Sequence, residues 1–159
     1  MIINSSHIRQ VRPVADNIDD TKRIDQYIRE AESLWVLPAL GADVYKAIDV
    51  APENYTPALE GCYYDDNTKH HEGLITAIAY LAYSRFIRSQ SINVTAFGVV
   101  MKRGEFSQPI DPKSISMAAG DAEKTGIEYL RQTVEYLKYI ETIESCKPLP
   151  VRRRFKAIG

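Results

Sequence analysis

The residues of this chain that are most capable of chemistry lie between positions 62 and 72. His70, His71 and Glu72 are consecutive, and Cys62 precedes them. Imidazole and carboxylate groups can bind a metal ion or move a proton. A cysteine thiol can act as a nucleophile when a histidine and an orienting acid lie beside it. The stretch is therefore the first place to look for a catalytic or metal site.

The spacing argues against both kinds of site. On a helix beginning near Thr68, adjacent residues point about 100° apart, so the two histidines do not share a face. The HExxH spacing of zinc proteases is missing, as are P-loop, GxGxxG and GxSxG motifs. We therefore expect no catalytic residue, no metal and no cofactor. We interpret the cluster as a polar helix start that follows a turn at Asp65 and Asp66.

Composition indicates one ordinary globular domain. The chain has 159 residues, of which 45% are hydrophobic and 26% are charged, enough for a single core. No apolar run approaches the roughly 18 residues of a membrane span, and the first residues lack the apolar segment of a signal peptide. Cys62 and Cys146 are the only cysteines, too few for a disulfide framework. We predict intracellular synthesis and no membrane contact.

Charge divides the chain unequally. Residues 147–159 hold five basic residues and no acidic one, which leaves 15 basic against 21 acidic residues, a charge of −6, in the remainder. Charge separation of this kind is typical of an interaction tail. We therefore divide the chain into a domain at 1–147 and a basic tail at 148–159.

Apolar periodicity predicts a mainly α fold, a small helical bundle with a long C-terminal helix. The predicted helices cover approximately 7–11, 20–37, 38–48, 68–89 and 112–145, with a break or kink at Pro38. Asp111 as N-cap and Pro112 at the first position predict the start of the last helix, which is roughly 50 Å long at 1.5 Å per residue. Residues 49–68 are predicted to be a loop with one helical turn.

The stretch 92–111 interrupts this helical pattern between the last two main helices. We predict a β-hairpin or extended arm, with one strand from Val94 to Met101, a turn at 102–104 and a return strand at 105–110. Because the first strand is apolar on both faces, it requires cover on both. The hairpin either folds over its own bundle or packs against a neighbouring copy. The arm residues expected to be buried by a neighbour are Val94, Phe97, Val99, Val100, Met101 and Phe106.

The order of these segments resembles the head–tail connector proteins of tailed bacteriophages. The matching stretches are IDDTKRIDQYIREAESLWVLPALGADVYKAI at 18–48, LITAIAYLAYSRFIRSQSINVTAFGVVMKRGEFSQPID at 74–111, and the long helix up to Tyr139. The likeness is strongest to the ring protein of phages of Bacteroides-type hosts, including crAss-like phages. Residues 52–67 match nothing in that family, so their role is open.

The resemblance implies a helical bundle that forms a ring under the portal protein. In such rings the arm packs on the adjacent subunit, the C-terminal segment docks on the portal, and the channel passes genomic DNA without reading its sequence. The implied partners are further copies of the chain, the portal and other tail or ring proteins. The implied location is the head–tail interface of the virion, after synthesis in the host cytoplasm.

The basic tail allows three interpretations. It is a solvated, disordered end, a phosphate-binding segment for nucleic acid, or a docking segment for the portal. Apolar residues between the basic ones favour docking, with Arg152, Arg153, Arg154, Phe155, Lys156 and Ile158 as the contact residues. The alternative function is a small helical nucleic-acid-binding or DNA-packaging accessory protein, and an enzyme of unknown type is a weaker third possibility.

Overall fold

The computed structural model describes residues 2–11, 21–90, 92–95, 98–101 and 112–145. The fold is mainly helical, as the sequence predicts, and a two-stranded hairpin separates the last two helices. The elements in chain order are α1 (Ser5–Val11), α2 (Thr21–Ala31), a π-helical turn (Glu32–Val36), α3 (Leu37–Leu40), α4 (Ala42–Val50), a 3-10 turn (Pro52–Tyr55), α5 (Thr56–Glu60), β1 (Cys62–Tyr64), β2 (Lys69–His71), α6 (Leu74–Gln90), β3 (Ile92–Thr95), β4 (Gly98–Met101) and α7 (Pro112–Ser145).

Helix α6 is the centre of the core. Leu74, Ile78 and Leu81 are fully buried, and α1, α2, α5 and α7 all pack around the helix. A helix that is apolar on most of its circumference is typical of a central position. Two ion pairs tie α6 to its neighbours, because Arg85 donates to Glu30 of α2 at 2.7 Å and Arg88 to Glu123 of α7 at 2.6 Å.

Helix α7 begins at Pro112 and continues to Ser145, which confirms the predicted bounds. Its most extensive contact is with α6. Gly126 makes that approach possible, because a Cβ at this position would lie 2.7 Å from Leu81 Cγ and 3.1 Å from the carbonyl oxygen of Ala77. The missing side chain therefore sets the distance between the two main helices.

Of the predicted break or kink at Pro38, the break is wrong. The backbone remains helical from α2 through Pro38 and ends only at Gly41, where φ is +81°. In a regular helix the proline ring would collide with the carbonyl group four residues earlier. Here a wider π-helical turn precedes the proline, and such turns accommodate an irregular hydrogen-bond pattern. The segment predicted as one helix at 38–48 is consequently divided between α3 and α4.

The predicted helix start near Thr68 is also wrong. Residues 62–71 form a small antiparallel hairpin in which Cys62 pairs with His71 and Tyr64 with Lys69. The turn, predicted at Asp65 and Asp66, is confirmed, and Asp65, Asp66 and Asn67 all have positive φ. Gly73, with φ of +86°, separates this hairpin from α6. Since asparagine, aspartate and glycine tolerate that conformation best, the sequence is well suited to this turn and exit.

The second hairpin lies where the arm was predicted, but its register differs. Ile92 pairs with Met101 and Val94 with Val99, so the chain reverses between Thr95 and Gly98. The prediction of one strand from Val94 to Met101 is therefore wrong. An unbroken apolar run has no alternation to mark the reversal, and Gly104 gave the stronger turn signal. The predicted turn at 102–104 and return strand at 105–110 lie outside the described residues.

Candidate functional site

The first hairpin brings together two residues that the sequence left apart. Cys62 Sγ lies 3.4 Å from His71 Nε2 across the paired strands. The imidazole is fully buried, while the cysteine is half-buried. The register of β1 and β2 produces this contact, because directly paired residues of an antiparallel hairpin place their side chains on the same face. His70, the nearer residue along the chain, points to the other face.

Aromatic rings enclose His71. Tyr136 of α7 stacks on the imidazole with ring centroids 4.4 Å apart, and Tyr64 meets it edge-on at 6.0 Å. Burial, assisted by the charge of neighbouring His70, lowers the pKa of His71 to about 4, so the ring is neutral at pH 7. Burial and a hydrogen bond with Cys62 raise the pKa of Tyr136 to about 12. The thiol therefore lies between a neutral imidazole and a neutral phenol.

Among the described residues, no third group of the kind that a nucleophilic cysteine needs binds this pair. In catalytic dyads, a carboxylate or amide binds the far nitrogen of the histidine and fixes its orientation. In the part of the chain that the structure describes, His71 Nδ1 is buried and has no hydrogen-bond partner. We infer that the cluster fastens the hairpin to α7 by packing.

The described residues around the pair also offer too few ligands for a metal ion. Structural zinc sites use four cysteine or histidine ligands, and catalytic sites use three. Within the described residues, no group of three histidine, cysteine or acidic side chains is close enough to hold an ion. His70 stacks on exposed Tyr63 at 4.4 Å and lies 3.7 Å from Glu72, on the side of the hairpin away from His71.

The predicted arm and tail residues are placed only in part. Val94, Val99, Val100 and Met101 lie on β3 and β4. Phe97, Phe106 and the tail residues Arg152, Arg153, Arg154, Phe155, Lys156 and Ile158 lie outside the described residues. Among the described elements, β3 makes its main contacts with β4 and with α6, and neither strand has a comparable contact with another helix.

An apolar groove lies beside the second half of α7, and the sequence did not predict it. Its volume is about 570 Å³. It separates α3, α4 and the 3-10 turn on one side from α7 on the other. Its lining is Ala39, Leu40, Val44, Asn54, Tyr55, Val134, Leu137, Lys138, Ile140 and Glu141. The periodicity of α7 could have indicated this groove, since Val134, Leu137 and Ile140 extend its apolar face beyond the part that packs on α6.

A buried acid was also missed. Glu32 is only 5% exposed, and its two carboxylate oxygens accept hydrogen bonds from the Ile2 backbone N–H at 2.7 Å and the Tyr45 hydroxyl at 2.8 Å. Burial and this bond to Glu32 raise the pKa of Tyr45. The signal in the sequence was an acid four residues after Ile28, where the π-helical turn continues the apolar stripe of α2. Glu32 ties the N-terminal segment to α4, which is a structural task.

Over the ranges that the structure describes, the fold and these sites define a mainly α bundle with two small hairpins, an aromatic–imidazole cluster and an open apolar groove. Residues 36–144 match the family of unknown function DUF6712. Since the match covers more than half of the chain, this protein belongs to that family. Comparison with curated proteins and with solved structures finds no significant match.

No helix in the described ranges is long and apolar enough to cross a lipid bilayer. The longest of the described helices, α7, carries charged residues from its first turn to its last, among them Lys113, Arg131 and Glu144.

Proposed function

We propose that the protein is a structural subunit of a head–tail connector ring in a tailed bacteriophage. In this role it sits under the portal protein in the virion, extends the DNA channel and offers a platform for tail proteins. The proposal rests on the resemblance in segment order and on the position of the β3–β4 hairpin. It requires no catalytic residue and no cofactor, only surfaces that bind other copies and the portal.

The hairpin is the observation that carries the proposal. It leaves the bundle at the end of α6, and its described strands contact chiefly each other and that helix. An isolated two-stranded hairpin is marginally stable in water. Cover from a neighbouring copy would complete it, and a strand of four residues spans roughly 13 Å, enough to reach beyond the bundle surface.

Substitution within the hairpin tests this role. Replacing Phe97 and Val99 with serine should leave the monomer folded and abolish ring formation, measured by mass photometry with and without purified portal. A matched control replaces Val50 and Tyr63, which are 74% and 66% exposed, with serine. The control removes comparable apolar surface, and we expect it to form rings normally.

The outcome separates the two possible positions of the hairpin. If circular dichroism shows that the Phe97→Ser, Val99→Ser chain is unfolded as a monomer, the hairpin belongs to its own core and the proposed arm is wrong. If the variant is folded and still forms rings, subunits contact each other elsewhere. Either result contradicts the proposal as stated.

The basic tail supports a second candidate function, a nucleic-acid-binding or DNA-packaging accessory protein. The five basic residues of 147–159 could neutralise five phosphates. Binding of that kind would lose affinity with salt at a slope of about −4.5 on a double logarithmic plot. A ring subunit should show only weak affinity for DNA as an isolated chain. A measured slope near that value, with micromolar or tighter affinity at 150 mM salt, would favour the second candidate.

A further inference from the structure

The groove beside α7 is an open apolar surface. Val44 on its wall is 37% exposed, and Leu40, Leu137 and Ile140 also line it. A volume of about 570 Å³ lies in the range of pockets that take small ligands or a few side chains. A helix with side chains is about 10 Å in diameter, so this volume would hold little more than one helical turn. Its occupant should be an extended segment with a few apolar side chains.

The C-terminal residues have the pattern of such a segment. Leu149, Val151 and Phe155 fall at odd positions, with Arg153 as the one basic residue among them. Arg152, Arg154 and Lys156 fall at even positions, with Ile158 as the one apolar side chain beyond the prolines. In an extended chain, alternate side chains point to opposite faces, so one face is largely apolar and the other basic. Prolines at 148 and 150 disfavour helix and favour this extended form.

The segment also begins beside the groove. Glu141 lines the groove, and α7 ends at Ser145, about 6 Å further along the helix axis. An extended chain advances roughly 3.3 Å per residue, so the residues from 146 onward can turn back and reach Leu137 and Val134. A tethered segment binds at an effective concentration in the millimolar range, which favours binding within one chain over binding between chains.

Charge complements the apolar match. The stretches that wall the groove, 37–55 and 134–141, contain five acidic residues and two lysines. Residues 147–159 contain five basic residues and no acid. Glu141 and Lys138 line the groove itself. With the apolar face of the segment in the groove, its arginines point away from the lining, and attraction between the basic segment and these net acidic stretches orients the segment.

We propose that the groove holds the chain's own C-terminal segment, residues 148–159, with Val151 and Phe155 as anchors. A partner that binds this segment, such as the portal, must then compete with the groove for it. The inference goes beyond the connector function and does not depend on it, because it concerns the isolated chain alone.

Trypsin cleavage of the full chain tests the proposal, because the arginines and lysine of the segment are trypsin sites. When opening is fast relative to cleavage, the cleavage rate follows the population of the open form. We expect Val44→Lys, which places a charge in the groove wall, to accelerate cleavage after Arg152–Lys156 at least tenfold, measured by mass spectrometry. Val50→Lys is the matched control, since it adds the same charge to α4 outside the groove lining, and its cleavage rate should equal that of the native chain.

A second pair of variants tests whether groove and segment act together. Val151→Ser with Phe155→Ser should accelerate cleavage as much as Val44→Lys, and combining all three changes should add nothing further, because the same contact is already lost. Independent, multiplying effects would contradict the proposal. So would equally fast cleavage of native and Val44→Lys chains.

The protein concentration distinguishes binding of the chain's own segment from binding of a second copy in the groove. Protection within one chain is the same at 1 μM and 100 μM protein. Protection that appears only at high concentration, together with dimers in light scattering, would show that the groove binds a second copy and would overturn the proposal. Ring assembly is not measured in any of these experiments, so their failure is distinct from failure of the connector function.

Discussion

The imidazole of His71 lies against the phenol ring of Tyr136, with ring centroids 4.4 Å apart and planes inclined by 25°. This contact joins the first hairpin to α7, elements that are far apart in the chain. It also determines the protonation of the histidine, because the stacked ring and the surrounding core remove water from it. The pKa of about 4 follows from that burial, and it gives the protein a measurable dependence on pH.

We predict that stability falls as the pH drops from 6.5 to 4. The unfolded chain, in which the pKa of His71 has its ordinary value of 6.5, binds a proton in this window, whereas the folded chain does not. Stability from the neutral imidazole is therefore complete above pH 6.5 and declines below it, by up to roughly 3 kcal/mol. Urea unfolding at pH 7.0, 5.5 and 4.5 measures the effect.

Acid also destabilises proteins by protonating their carboxylates. Two substitutions separate the contribution of His71 to the pH dependence from that of the carboxylates. His71→Phe keeps an aromatic ring against Tyr136 but cannot be protonated, so its unfolding free energy should fall less between pH 7.0 and 4.5 than that of the native chain. His70→Gln changes the exposed neighbour and should retain most of the native pH dependence. Identical pH curves for native and His71→Phe chains would show that another group is responsible.

The large elements of the fold could be predicted because their signals are long. α6 and α7 repeat apolar residues over many turns, and the Asp111–Pro112 pair marks the start of α7. The π-helical turn before Pro38 could not be predicted, since proline alone indicates a break and the accommodation depends on surrounding packing. Short strands of three residues, such as β1 and β2, contain too few positions for alternation to distinguish them from a helix start.

The candidate sites depend on those short elements, so they were harder to predict. Assigning 68–72 to a helix kept His71 at the surface and far from Cys62, whereas the hairpin register pairs them. The groove depends on how α3 and α4 lie against α7, which no local pattern specifies. The hairpin between α6 and α7 was found because its apolar, non-helical composition contrasts with both neighbours.

Two glycines of α7 should respond oppositely to replacement by alanine. Gly126 faces Leu81 at a distance that excludes a Cβ, whereas a Cβ at Gly120 meets nothing within 4 Å. Gly126→Ala should destabilise the protein by roughly 1–3 kcal/mol through overpacking. Gly120→Ala should stabilise it by about 0.5–1 kcal/mol, because alanine is the better helix former. Thermal unfolding measures both, and equal effects would mean that α6 and α7 do not meet at Gly126.

The burial of Glu32 predicts that the Tyr45 hydroxyl contributes more to stability than the half-buried position of Tyr45 suggests. Tyr45→Phe leaves one carboxylate oxygen of Glu32 without its donor, at a cost of about 1–3 kcal/mol. Tyr83→Phe is the control, because no hydrogen bond of its hydroxyl is found among the described residues, and we expect a change below about 0.5 kcal/mol. Urea unfolding compares the two variants. A Tyr45→Phe protein as stable as native would mean that water replaces the hydroxyl.

The arginines of the tail provide the last prediction, on the proposed attachment to the portal. Changing Arg152, Arg153 and Arg154 to glutamine should weaken attachment, mainly by slowing association, because rim charges steer encounters more than they hold complexes. The loss should be largest at low salt and shrink by 500 mM salt, where the Debye length falls to about 4 Å. Surface plasmon resonance on immobilised portal rings measures both rates.

A charge-matched control accompanies this variant. Arg9, Lys46 and Lys124 are exposed, and changing them to glutamine removes the same net charge from the bundle. If the control slows association as much as the tail variant, net charge alone steers the encounter and the tail has no special role. If deleting residues 148–159 leaves attachment unchanged while helical content is preserved, the portal binds the bundle surface. The tail charge would then be free to face DNA in the channel, where an affinity that falls steeply with salt would reveal it.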